Sequence, residues 1–94
     1  MQGMTLNQLK RTMADFDEIE FLYRGEMYDF QKESADNSRI KISVWQCGDN
    51  PECVYSVTVD DNATFVYELV NAKIFHDGKS IVTGEADIDV EFFT

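Results

Sequence analysis

The stretch EIEFLYRGEMYDFQ, residues 18–31, decides the fold of this chain. Apolar and polar side chains alternate within it on both sides of Arg24 and Gly25. Alternation at period two is typical of a strand with one buried face, and a glycine-containing break between two such runs marks a turn. Residues 18–31 therefore predict a β-hairpin.

Three more alternating runs lie further along the chain. They predict a third strand at 40–45, a fourth at 55–59 and a fifth at 88–92. The loop between Cys47 and Cys53 contains Pro51, whose missing N–H harms no strand pairing there. Consecutive strands with short connections favour an antiparallel meander. The last strand has two possible places, an edge of the sheet or a position beside the first strand.

Helical periodicity marks the remaining segments. They are 5–14, where Thr5 and Gln8 match a capping box, 62–73, preceded by candidate caps at 60–62, and a short turn at 81–86 after Ser80. The predicted order is α-β-β-β-β-α-(α)-β. This order indicates an α+β fold, in which helices pack on one face of a single, mainly antiparallel sheet of about five strands.

Length and composition predict one domain. Residues 4–94 form it, and residues 1–3 are interpreted as an expression remnant or an alternative start, since Met4 follows them. Hydrophobic residues make up 44% of the chain, which is ordinary for a folded domain. The sequence lacks both an apolar run long enough to span a bilayer and a secretory signal pattern. We therefore expect a cytoplasmic protein.

The chain is strongly acidic, with 18 Asp and Glu residues against 8 Lys and Arg residues and a net charge of −10. Affinity for nucleic acid and for anionic membranes comes largely from clustered Lys and Arg. The charge therefore argues against both as direct partners. It leaves another protein, possibly a basic one, as the expected partner.

No catalytic or cofactor motif accompanies the charge, so we predict no catalytic residues, no cofactor and no metal site. His76 is the only histidine, and a zinc site would need two ligands besides Cys47 and Cys53. Free thiols are favoured, although a hairpin would place the two cysteines where a disulfide is possible. The glycines form no phosphate-binding loop. A deep pocket containing His76 and a cysteine would instead indicate an enzyme.

Two groups of residues are candidates for a binding surface. The first is Trp45 with Lys41 and Ser43, which share the face of the third strand opposite its apolar residues. A surface tryptophan is a frequent hot spot of binding, and the alternative is partial burial of Trp45 beneath a loop or a terminus. The second group is an acidic row on one side of the last strand. It consists of Glu85, Asp87, Asp89 and Glu91, which Glu18 and Glu20 would extend if the first and last strands were neighbours.

These features lead to two functional hypotheses. The first is a non-enzymatic protein–protein interaction module, monomeric or weakly dimeric, that binds through the sheet face around Trp45. The alternative is an acidic mimic of nucleic acid that inhibits a basic nucleic-acid-binding protein, as a bacterial or phage anti-defence protein would. Protection of an edge strand from aggregation is a simpler explanation of the acidic row.

Overall fold

The computed structural model describes residues 1–36, 38–60 and 64–94. It contains two α-helices, a five-stranded sheet and a short 3₁₀ helix, and it confirms the predicted α+β fold. The elements are α1 (Leu6–Asp15), β1 (Glu18–Tyr23), β2 (Glu26–Ser34), β3 (Ile40–Gln46), β4 (Glu52–Val59), α2 (Phe65–Asn71), the 3₁₀ helix (Glu85–Asp87) and β5 (Ile88–Phe93). None of the helices in these ranges is long and apolar enough to cross a membrane.

The strands lie in the order β4-β3-β2-β1-β5, and every neighbouring pair is antiparallel. Strand β5 satisfies both alternatives left open by the sequence, since it lies beside β1 and forms an edge. The β1–β2 hairpin closes through Arg24 and Gly25, whose φ angles are 51° and 81°. Two successive positive φ angles match the turn geometry that suits the twist of a two-residue hairpin. The predicted tight turn is confirmed.

The helices cover one face of the sheet. This face carries the alternating apolar residues of the strands, and both helices supply buried residues to the same core. Because side chains alternate across a strand, the intervening residues point to the opposite side. We call that side, which neither helix covers, the open face. The largest fully buried side chains include Tyr28, Phe21, Phe30, Phe65, Leu9 and Met13.

Helix α1 begins and ends as the chemistry of its termini requires. The Thr5 hydroxyl accepts a hydrogen bond from the Gln8 N–H, and the Gln8 side chain accepts one from the Thr5 N–H. This is the predicted capping box. At the other end, Lys32 Nζ donates to the Ala14 carbonyl at 2.8 Å. A lysine there complements the negative end of the helix dipole.

Several boundaries differ from the prediction. Helix α2 begins at Phe65, and of its candidate caps at 60–62 two residues lie outside the described part of the chain. Strand β4 begins at Glu52, so Cys53 belongs to the strand. The predicted short turn of helix at 81–86 is a turn at residues 81–84 followed by the 3₁₀ helix at Glu85–Asp87. Ser80 still caps this turn, with its hydroxyl accepting from the Thr83 N–H at 3.1 Å.

Candidate functional site

The first predicted surface group lies on one groove of the open face. Trp45, Lys41 and Ser43 all line a groove of about 380 Å³, which Pro51 of the β3–β4 loop also borders. Trp45 is 36% exposed, so its ring is accessible on the open face although most of its surface is covered, and this exposure is compatible with the alternative of partial burial. Ser43 is only 3% exposed and forms the floor of the groove. Its predicted place on the accessible surface therefore needs this correction, while Lys41 is exposed as expected.

Three carboxylates meet beside this groove. One oxygen from each of Glu18, Glu20 and Asp29 lies within 4.8 Å of the others, and all three residues are half-buried. Asp29 also lines the groove, where it is the register partner of Trp45. We call these three residues the carboxylate cluster. It joins two strands of the hairpin to the groove around Trp45.

One buried oxygen of the carboxylate cluster lacks a hydrogen-bond donor among the described residues. Asp29 Oδ2 accepts a hydrogen bond from Gln31 Nε2 at 2.7 Å, but Asp29 Oδ1 is buried and has no hydrogen-bond partner among the described residues. A buried acceptor without a partner costs free energy. Repulsion from Asp29, followed by burial, raises the pKa of Glu18 above its ordinary value of 4.5. The cluster is therefore suited to accept a positive charge.

Two aromatic side chains flank the carboxylates in one row across the sheet. Glu20 is opposite Asp29, and the row continues to Trp45 on one side and to Phe92 on the other. Phe92 is 46% exposed. Three strand spacings separate the two aromatic residues, or about 14–15 Å. The row thus places two acids between two accessible rings.

The sequence contained the information needed to find this cluster. A two-residue turn at Arg24 and Gly25 pairs Tyr23 with Glu26, and counting back along both strands pairs Glu20 with Asp29. Alternation alone predicts Glu18 and Glu20 only as an extension of the acidic row. Their actual partner is on β2, and the turn geometry is the signal that identifies it.

The predicted acidic row is not a regular row on a strand. Glu85 and Asp87 lie in the 3₁₀ helix, and only Asp89 and Glu91 belong to β5. The physical reason is the length of β1, which ends at Tyr23 opposite Ile88. Residues before Ile88 have no strand beside them. Asp87 instead accepts a hydrogen bond from Arg24 Nε at 3.0 Å.

Arg24 and Tyr23 organise a second polar group at the turn end of the hairpin. The Tyr23 hydroxyl donates to Asp77 Oδ2 at 2.5 Å, and Arg24 lies 3.4 Å from the same carboxylate. The Tyr23 hydrogen bond, the strongest influence, holds the pKa of Asp77 below its ordinary value. Tyr23 also stacks on Phe75, with ring centroids 3.7 Å apart. These contacts attach the 72–79 segment to the sheet and have a structural role.

The candidates for nucleophilic catalysis are not assembled. Both cysteines are free thiols. Cys53 and His76 line one groove of about 280 Å³ at the start of β4, but the contact of Cys53 Sγ is with the Tyr55 carbonyl, at 3.3 Å. No hydrogen bond joins His76 to a cysteine in the described part of the chain. That the protein is not an enzyme stays a prediction.

Comparisons with known proteins give no further guidance. No protein-family model matches the chain, and no curated protein or solved structure matches it. Among the described residues, the carboxylate cluster is the group with the ligand types for a metal ion. Oxygen ligands of this kind suit hard divalent cations. Exposed acidic groups also commonly lie together without a metal ion.

Proposed function

We propose that this protein is a non-enzymatic, cytoplasmic interaction module whose open face binds an arginine-containing segment of another protein. The observation that carries the proposal is the juxtaposition of the carboxylate cluster with Trp45. An exposed indole and carboxylates that form no salt bridge with any described residue lie on neighbouring strands. Rigid strands hold them in place, so little ordering is needed on binding.

Arginine fits this site better than lysine. Its planar guanidinium stacks on an aromatic ring and donates paired hydrogen bonds to a carboxylate. A guanidinium next to Asp29 would provide the missing donor for Asp29 Oδ1. At the same time it would lie beside Trp45, the register partner of Asp29. One side chain therefore satisfies both features of the site.

The size and shape of the site favour a protein over a small molecule. The aromatic–acid–acid–aromatic row extends across four strands, and the groove beside it is open to solvent. Small-molecule sites are usually enclosed and bury most of the ligand. Lys41 lies opposite Glu33 further along the groove. This neutral end of the groove contrasts with the acidic centre and would orient the bound segment.

The test is calorimetric titration of the protein with an arginine-rich peptide and with a matched glutamine-rich peptide. We expect binding of the arginine-rich peptide alone, weakened by salt because charged groups carry it. Trp45→Ala should reduce affinity at least tenfold, about 1.4 kcal/mol. Tyr67→Ala is the control, since Tyr67 is 76% exposed on α2, away from the open face. Equal loss in both variants, or none in Trp45→Ala, would contradict the proposal.

The acidic-mimic alternative keeps only the overall charge as support, since its row is not formed on one strand. It predicts that the acids at 85–91 carry binding to a basic partner. Neutralising Glu85, Asp87, Asp89 and Glu91 together separates the two hypotheses. The proposed function predicts that the arginine-rich peptide still binds this variant with most of the original affinity, because the carboxylate cluster is intact.

A further inference from the structure

Strand β4 forms an unprotected edge of the sheet. It is the terminal strand on its side, and no backbone hydrogen bond joins residues 55–59 to any described segment other than β3. Natural sheets usually guard such an edge with charges, proline or a covering segment. The stretch Cys53–Val59 contains no charged residue and no proline. Its unpaired backbone groups are therefore open to another strand.

The opposite edge is guarded. Gln2 covers part of β5, since its N–H donates to the Ile88 carbonyl at 2.8 Å and its carbonyl accepts from the Val90 N–H at 2.9 Å. Asp89 and Glu91 add negative charge to the same strand. A second strand that approached β5 would have to displace residue 2 and meet these acids.

The hydrogen-bond alternation identifies the free backbone groups of β4. The Cys47 N–H donates to the Met27 carbonyl at 2.8 Å, so the odd-numbered residues of β3 bond to β2 and the even-numbered residues bond to β4. Val57 is opposite Ile42 and bonds inward. Ser56 and Thr58, on either side of Val57, therefore direct their N–H and C=O groups away from the sheet.

We propose that a second copy of this chain occupies the β4 edge, through an antiparallel β4–β4 pairing centred on Val57. In this register Ser56 of each copy is opposite Thr58 of the other. The two pairs exchange N–H···O=C hydrogen bonds on both sides of a two-fold axis. The arrangement extends the sheet to ten strands and satisfies the outward groups of both copies.

The side chains in this register are complementary and uncharged. Tyr55 of one copy is opposite Val59 of the other, and Val57 is opposite itself, which gives aromatic–aliphatic and aliphatic pairs. All three residues are half-buried in one copy and would lose further exposed surface. Two copies of charge −10 repel each other, and pairing at an uncharged stretch adds no local contact between carboxylates. A basic partner finds no carboxylate at 55–59, whereas a second copy presents the complementary uncharged residues in this register.

The dimer is independent of the proposed function, because the β4 edge and the open face are different surfaces. A two-fold axis perpendicular to the sheet leaves both open faces on the same side of the ten-stranded sheet. The assembled protein then presents two Trp45 grooves to one partner. Failure of peptide binding would leave the dimer intact, and a monomer would still bind the peptide.

Sedimentation velocity over a range of protein concentrations tests the association. The wild type should shift from 10.8 kDa towards twice that mass. Ser56→Glu/Thr58→Glu places four carboxylates at the pairing and should abolish the shift. Asn7→Glu/Arg11→Gln makes the same change in net charge on helix α1 and should still dimerise. A wild type that stays monomeric, or a dimer that survives Ser56→Glu/Thr58→Glu, would overturn the proposal, with circular dichroism confirming that each variant is folded.

A cross-link tests the register directly. Val57→Cys in a Cys47→Ser/Cys53→Ser background places one thiol of each copy opposite the other, at the short Cα separation of a non-hydrogen-bonded pair, about 4.5 Å. Oxidised glutathione should convert it rapidly to a disulfide-linked dimer. Thr58→Cys in the same background is the control, because position 58 faces position 56. Equal rates for the two variants would refute a register centred on Val57.

Discussion

Replacing Glu18 with glutamine should stabilise the fold, because Glu18 lies in a cluster of like charges. Carboxylate oxygens of Glu18, Glu20 and Asp29 lie within 4.8 Å of one another. At this separation two unit charges repel by about 0.9 kcal/mol in bulk water, and by more where they are partly buried. Glu18 lies diagonal to Asp29 across the hairpin, and cross-strand side-chain pairs typically change stability by about 0.2–1 kcal/mol. We therefore expect Glu18→Gln to raise the free energy of unfolding by about 0.5–1 kcal/mol near neutral pH.

The dependence on pH identifies the cause. The folded-state pKa of Glu18 is raised, so folding is opposed when this group is ionised. The penalty is present above the folded pKa and disappears as the pH falls through it towards the ordinary value of 4.5. The gain from Glu18→Gln should therefore be present at about pH 7 and largely absent at about pH 4.

Urea unfolding at both pH values measures the effect, and thermal unfolding should show a rise in Tm of about 2–8 °C at neutral pH. Glu33→Gln is the matched control, since Glu33 is an open-face acid opposite Lys41 and outside the cluster. Glu33→Gln should not raise the free energy of unfolding at either pH. If Glu18→Gln leaves stability unchanged at neutral pH, or gives an equal gain at both pH values, the assigned repulsion is wrong.

Three further predictions concern other parts of the fold. Gly84→Ala should lower the free energy of unfolding by about 1–3 kcal/mol, because an added Cβ would lie 2.8 Å from Tyr23 Cε1 and 3.0 Å from the Ser80 carbonyl oxygen. An unchanged urea midpoint would contradict this steric conflict. Tyr23→Phe removes the hydrogen bond that lowers the pKa of Asp77, so NMR titration should show that pKa rise towards its ordinary value. In this variant the Asp77 carboxylate contributes less to the free energy of unfolding at neutral pH. A smaller contribution is therefore lost as the pH falls. Thr5→Ala should lower the free energy of unfolding by about 1 kcal/mol, because the helix cap is lost. Thr5→Ser keeps the hydroxyl and should retain most of the stability that the cap provides.

The elements that could be predicted are those with local signals. Alternation predicted all five strands, since each has one buried face. The capping box predicted the start of α1. The segment before β5 was misassigned because its alternation continues beyond the end of its partner strand at Tyr23. A periodic pattern forms a strand only where a neighbouring strand supplies hydrogen bonds, and this depends on contacts distant in sequence.

The candidate site was predicted in part for the same reason. Trp45 and Lys41 follow from alternation along one strand, and both are accessible in the groove. The carboxylate cluster depends on the register between β1 and β2, which the Arg24–Gly25 turn sets. Burial of Ser43 depends on the side chains around it on the sheet. No pattern within β3 reports that burial.

An NMR chemical-shift titration with the arginine-rich peptide tests whether the open face binds arginine-containing protein segments. We predict saturable shifts for the Trp45 indole and for the amides of the carboxylate cluster. The NMR signals of residues on α2, such as Tyr67, should not shift. The double variant Glu18→Gln/Asp29→Asn should abolish the shifts around Trp45. Shifts on the helical side of the molecule, or an unperturbed Trp45 indole at a saturating concentration of peptide, would contradict the claim.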